Sequence, residues 1–154
     1  MSVATKRVRK SKQSVKPEAI VNDAPKLLES FEVGDAVRQG DLYLIRIKSM
    51  PKSARPRGNR QLADGTTQGS RHVLERGEVF DCDPEAVARA VKSATKIDID
   101  ERYCGPVIRT ASEPTENDLT HPEHGNIGFP ADSICAVVFQ RSLDAEQREM
   151  RVRD

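Results

Sequence analysis

Apolar residues in this chain come in short runs, each closed by glycine, proline or aspartate, and that punctuation limits the possible folds more than any other feature. In VGDAVRQGDLYLIRIK two Gly-Asp turns, Gly34-Asp35 and Gly40-Asp41, frame a strand in which Leu42, Leu44 and Arg46 alternate with Tyr43, Ile45 and Ile47. Shorter strands are predicted at Gln61 to Ala63, His72 to Glu75 and Glu78 to Phe80, and a longer one over Tyr103 to Thr110. Ile127 and Phe129 share a face, PADS at 130–133 makes a tight turn, and Ile134 to Gln140 is a near-continuous apolar strand, so this stretch reads as a buried hairpin.

Two segments carry helical spacing. Asp83 as cap, Pro84 at the first position, Glu85 at the positive end and a stripe of Ala86, Val87, Ala90, Val91 and Ala94 predict a helix near 84–95. Leu27, Leu28 and Phe31 after Pro25 suggest a turn or two of helix leading into the domain. Met50 to Asn59, with two prolines and several bases, reads as a loop that either stays solvated or grips an anion. Short strands with one inserted helix point to a mainly β, single-domain fold: a β-sandwich, jelly roll or small barrel. The expected organisation is a basic flexible tail over 1–24, the β-rich domain over 25–142, and a charged C-terminal arm or frayed helix over 143–154.

Charge is unevenly spread. Lys6, Arg7, Arg9, Lys10, Lys12 and Lys16 precede the first acid, Glu18, and without them 19 bases face 24 acids. A basic arm on an acidic body suits contact with nucleic acid, another polyanion or a neighbouring subunit of a homo-oligomer; a solubilising tail is the plainer alternative. No run of about 18 apolar residues exists and the N-terminus is charged, so neither a membrane span nor export is expected, and the cytoplasm is the expected location. Cys82, Cys104 and Cys135 are odd in number and lack CxxC spacing, which fits reduced, packing thiols.

The three histidines are the chain's candidate chemistry. His72 follows a polar glycine-rich loop, and His121 and His124 lie in LTHPEHG with Glu123 between them. Imidazoles with a carboxylate suit a divalent ion such as zinc, iron or manganese, with Glu123 as ligand or catalytic general base. In a one-turn helix His121 and His124 would share a face. The alternative is a capping box, Thr120-His121-Pro122-Glu123, with no chemistry. GTTQGSR offers a second candidate, an anion cradle of Thr66, Thr67, Ser70 and Arg71, without the Gly-Lys ending of a Walker loop. Two readings follow: a non-enzymatic binding or assembly module that uses the arm, and a small metal-dependent enzyme or sensor with a three-histidine site. The mutual distances of the three imidazoles separate them.

At QLADGTTQGSRHVL (61–74), LTHPEHGNIGFPADS (119–133) and the closing VVFQRSLDAEQREMRVRD, the chain is similar to uncharacterised small bacterial β-rich proteins. The polar loop leading through a histidine into a strand, followed by a Pro-Ala turn, also weakly resembles a cupin or jelly roll. That resemblance implies a metal held by histidines and a glutamate on paired strands. Here Ser70 stands where a cupin's HxH pair would place its first histidine, and no histidine follows the Pro-Ala turn.

Overall fold

The computed structural model describes residues 26–63, 71–116, 118–143 and 149–151. They form a β-sandwich with one helix, as the punctuation predicts, and the sheets do not close into a barrel. Six strands make the larger sheet in the order β2-β3-β11-β8-β7-β4: β2 Ala36–Gln39, β3 Leu42–Arg46, β4 Arg55–Arg57, β7 Gly77–Asp81, β8 Cys104–Thr110 and β11 Ile134–Phe139. The smaller sheet runs β1-β10-β9-β6-β5, from β1 Lys26–Leu27, β5 Gln61–Ala63, β6 His72–Leu74, β9 Leu119–Thr120 and β10 Ile127–Gly128. A separate pair, β12 Arg141–Leu143 and β13 Glu149–Arg151, lies where a frayed helix or arm was expected.

Strand periodicity divides the core in two. On β11, Cys135, Val137 and Phe139 face the smaller sheet, with Leu42, Leu44, Ile108, Leu74 and Phe129, whereas Ala136 and Val138 face the opposite way with Ile45, Ile47 and Val107. Covering both faces explains why residues 134–139 lack the polar alternation of a half-exposed strand. The cover on the outer face is α1, Pro84–Thr95, which buries Val87 and Val91 and lays Ala90 and Ala94 against the sheet. Pro84 starts the helix as predicted, but the Asp83 side chain makes no capping bond. Lys96, at φ 68°, ends the helix by donating its N–H to Lys92.

Four expectations are corrected. Residues 26–27 are a strand, because β1 finds a parallel partner in β10, which lies about a hundred positions along the chain. Ile127 and Ile134 do not begin the two arms of one hairpin: β10 belongs to the smaller sheet and β11 to the larger, so the 130–133 turn carries the chain between layers. There the Ser133 hydroxyl donates to Pro130 O and the Ser133 N–H donates to Thr110 Oγ1. The basic loop after Met50 contributes edge strand β4, which pairs with β7. HPEH forms bends, not a helical turn, and the capping box does not form: Thr120 lies in β9, its hydroxyl donating to Glu75.

Gly77 begins β7 at φ 120°, and a Cβ there would collide with the Arg109 carbonyl on β8. Gly77→Ala should therefore lower stability by about 2–3 kcal/mol, from backbone strain together with the displaced strand. Urea unfolding of both proteins measures it, and a loss under about 0.5 kcal/mol would contradict this register.

Candidate functional site

The site begins with a turn. Gln39 and Leu42 are paired, leaving Gly40 and Asp41 as a two-residue hairpin loop between β2 and β3. Gly40 has φ 58° and Asp41 is not among the positive-φ residues, which is the sign pattern of a type II′ turn with glycine first. The Gln140 N–H donates to the Asp41 carbonyl and pins the loop to the end of β11. Gln39 and Asp41 are both turned inward, with exposures of 2% and 4%.

The smaller sheet supplies the imidazoles. His72 opens β6 and is fully buried, His121 directly follows β9 at 5% exposure, and His124 is half-buried in the bends beyond. Ring centroids of His72 and His121 are 4.4 Å apart, those of His121 and His124 also 4.4 Å, and those of His72 and His124 6.4 Å. His72 and the distant pair His121 and His124 therefore form one cluster. Their separations bracket the roughly 5 Å expected between rings that share one tetrahedral ion.

Hydrogen bonds orient the His72 and His121 rings. The Gln39 side-chain amide donates from Nε2 to the carbonyls of Gly125, at 2.8 Å, and Leu119, at 3.3 Å, so its oxygen is the atom facing His72 Nδ1 at 3.0 Å. His72 Nδ1 therefore carries a hydrogen, and Nε2 is directed at Asp41 Oδ1, 3.3 Å away. His121 Nδ1 accepts the Glu123 N–H at 3.0 Å. Glu123 itself is exposed and joins the cluster through its backbone.

This geometry limits the chemistry. His72 is wholly buried, with Nδ1 against Gln39 Oε1 and Nε2 directed at Asp41 Oδ1. Among the described residues, no group of three or more His, Cys, Asp or Glu is arranged to hold a metal as it stands, in keeping with the stacking of the His72 and His124 planes at 10°.

The other candidates fall elsewhere. Thr66, Thr67 and Ser70 of the anion cradle, and Lys6, Arg7, Arg9, Lys10 and Lys12 of the arm, lie outside the described residues; Arg71 is exposed. Among the described residues no helix is long and apolar enough to cross a membrane. Gln39 and Asp41 were missed because one reads as strand and the other as turn; the available signal was a polar residue on an inward strand position beside a hairpin glycine.

All three cysteines are free. Burial pushes the Cys135 thiol up to about 12, with Arg46 opposing, and burial followed by Asp100 and Glu101 pushes Cys104 up to about 11. Cys82 is also raised, by burial first and then by Asp81. At pH 8 both Cys104 and Cys135 are therefore thiols rather than thiolates. Native protein should therefore react slowly with iodoacetamide at pH 8 and take up three equivalents in denaturant; a fast native reaction at Cys104 or Cys135, read by mass spectrometry, would contradict these environments.

No curated protein matches this chain, and no solved structure does. A family model does match it, over residues 38–132, a span that contains Gln39, Asp41 and all three histidines. The chain belongs to the family described as Domain of unknown function (DUF8820).

Proposed function

We propose that this domain is a metal-binding module, with a divalent ion such as zinc, iron or manganese held at the histidine cluster between the two sheets. The observation that carries this reading is the convergence of His72, His121 and His124 within 6.4 Å of one another beside the buried Asp41 carboxylate. Imidazole and carboxylate donors suit borderline divalent ions. Gln39 supplies the outer support such a site needs, because it holds the non-coordinating nitrogen of His72 and so orients the other. Coordination requires the stacked rings to turn in plane, and requires His121 to exchange its Glu123 N–H bond or to use Nε2. Burial favours a structural or sensing ion over one exposed to substrate, since an open coordination position marks catalytic sites.

The test is elemental analysis and calorimetry on tag-free full-length protein with zinc, iron and manganese salts. The expected result is about one ion per chain and, at a thousandfold excess over Kd, about 4 kcal/mol of added stability. Less than about 0.2 ion per chain with no melting shift removes the proposal.

The charge asymmetry supports a second activity alongside the first, in which the arm engages an anionic partner such as nucleic acid. Fluorescence anisotropy with DNA and RNA across a salt series should show affinity falling as salt rises. Deleting residues 2–16 should weaken binding at low salt at least tenfold, whereas unchanged affinity would assign the arm to solubility.

A further inference from the structure

We infer that the cavity between α1 and the outer face of the six-stranded sheet is a binding site for a small carboxylic acid, whose apolar body of about six carbons lies against aliphatic walls and whose carboxylate is held by Arg38. The cavity lies on the face of the sheet turned away from the histidine cluster, so the inference stands apart from the metal reading.

The cavity follows from widths. Six strands spaced about 4.8 Å apart span about 24 Å, whereas a helix with its side chains is about 10–12 Å across, so one helix cannot cover the outer face. α1 packs Val87 and Val91 into one cluster with Ile47, Val107 and Ala136, and it stops at Thr95, where Lys96 turns to φ 68°. The β2 and β3 side of the face is left to Ile97 and Ile99 from the chain beyond the helix. With Val91 they bound a cavity of about 160 Å³ against Ala36, Tyr43 and Ile45. An apolar cavity of about 150 Å³ holds one benzene molecule, which sets the ligand's body at about six carbons.

The walls offer little for a polar body. Thr95, on the helix side, has its hydroxyl committed: it donates to Val91 O at 2.8 Å and accepts the Ile97 N–H at 3.0 Å. Ile97 is 47% exposed, so a bound apolar body would cover hydrocarbon that meets water.

Charge at the rim selects the head group. On the β2 side Arg38 stacks over Tyr43, its guanidinium carbon 5.7 Å from the ring centroid, and donates from Nη2 to Gln140 Oε1 and from Nε to Gly40 O. Tyr43 and Gln140 both line the cavity, so these contacts hold the guanidinium at its mouth. Among the described residues no carboxylate pairs with Arg38, and its Nη1 donates to none of them. On the α1 side the charges are answered within the protein: Lys92 pairs with Asp98, Arg102 with Asp100, and Lys96 donates back to Ser93 O. A planar guanidinium beside an apolar cavity favours an anion with an apolar body, and a carboxylate matches its donor geometry.

Amide shift titration of isotope-labelled full-length protein with hexanoate, hexanol and hexylammonium at pH 7 tests the inference. Hexanoate should bind with a Kd of about 1 mM or tighter, moving the amides of Ala36, Tyr43 and Ile97 and leaving those of His72 and His121 in place. Hexanol should bind at least tenfold more weakly, and hexylammonium more weakly still. Arg38→Gln should weaken hexanoate at least fivefold while hexanol stays within twofold, and Ala36→Leu, which fills the cavity, should weaken both at least tenfold. The three ligands on wild type decide the matter if either variant fails to fold. Unmoved amides at Ala36, Tyr43 and Ile97 in about 10 mM hexanoate, or hexanol within twofold of hexanoate, overturns the inference.

Discussion

One side-chain amide joins the two layers of this sandwich at their polar end. Gln39 belongs to the edge strand of the six-stranded sheet, yet every hydrogen bond of its side chain described above goes to the five-stranded sheet and the bends that follow it. Most of the contact between the layers is apolar, which fixes their spacing more firmly than their register, although Arg57 of β4 also donates to the Gln61 carbonyl of β5. The amide adds direction: its nitrogen satisfies two carbonyls and its oxygen selects the tautomer of a fully buried histidine. Replacing it with an apolar residue would leave carbonyls and a ring nitrogen unpaired in a low-dielectric interior.

The polar cluster is bounded by structure that keeps it in place. Asp41 is held by a glycine-led turn and by the Gln140 N–H, and His72 by its pairing with Ala63 on β5, one residue before Val73 pairs with Thr120 on β9. His121 and His124 lie where the chain leaves β9 and returns as β10, in bends anchored at Gly125 by Gln39. Asp118 works in a similar way at the head of β9: its carboxylate accepts the Phe129 N–H, while burial raises its pKa against the opposing effects of that bond and of Arg76. Asp41 and Asp118 thus both sit at the ends of short strands, one in each sheet, where backbone donors and acceptors leave the ladder.

Much of the fold was legible in local sequence. The Gly40-Asp41 hairpin, the alternation of β3, the helix from Pro84 and the short strands at 61–63 and 72–74 each follow from residues in contact with their own neighbours. Misreadings arose where a distant partner decides. Leu27 and Leu28 have helical spacing, but β10 offers a strand partner; Ile127 and Ile134 resemble hairpin arms, but covering both faces of β11 sends them to different layers. The cluster was half legible. Scarcity singled out the three histidines, and the structure brings them together, but Gln39 and Asp41 are ordinary strand and turn residues until the sheets stack. Glu123 drew notice by proximity in sequence, and an exposed bend carries its carboxylate to the surface.

The central claim is the proposal that His72, His121 and His124 together hold one divalent ion. A crystal grown with zinc, with diffraction recorded on both sides of the zinc absorption edge, tests it most directly. The account predicts one anomalous peak among the three imidazoles, about 2.0–2.1 Å from a nitrogen of each ring. A map with no peak among the three rings would contradict it.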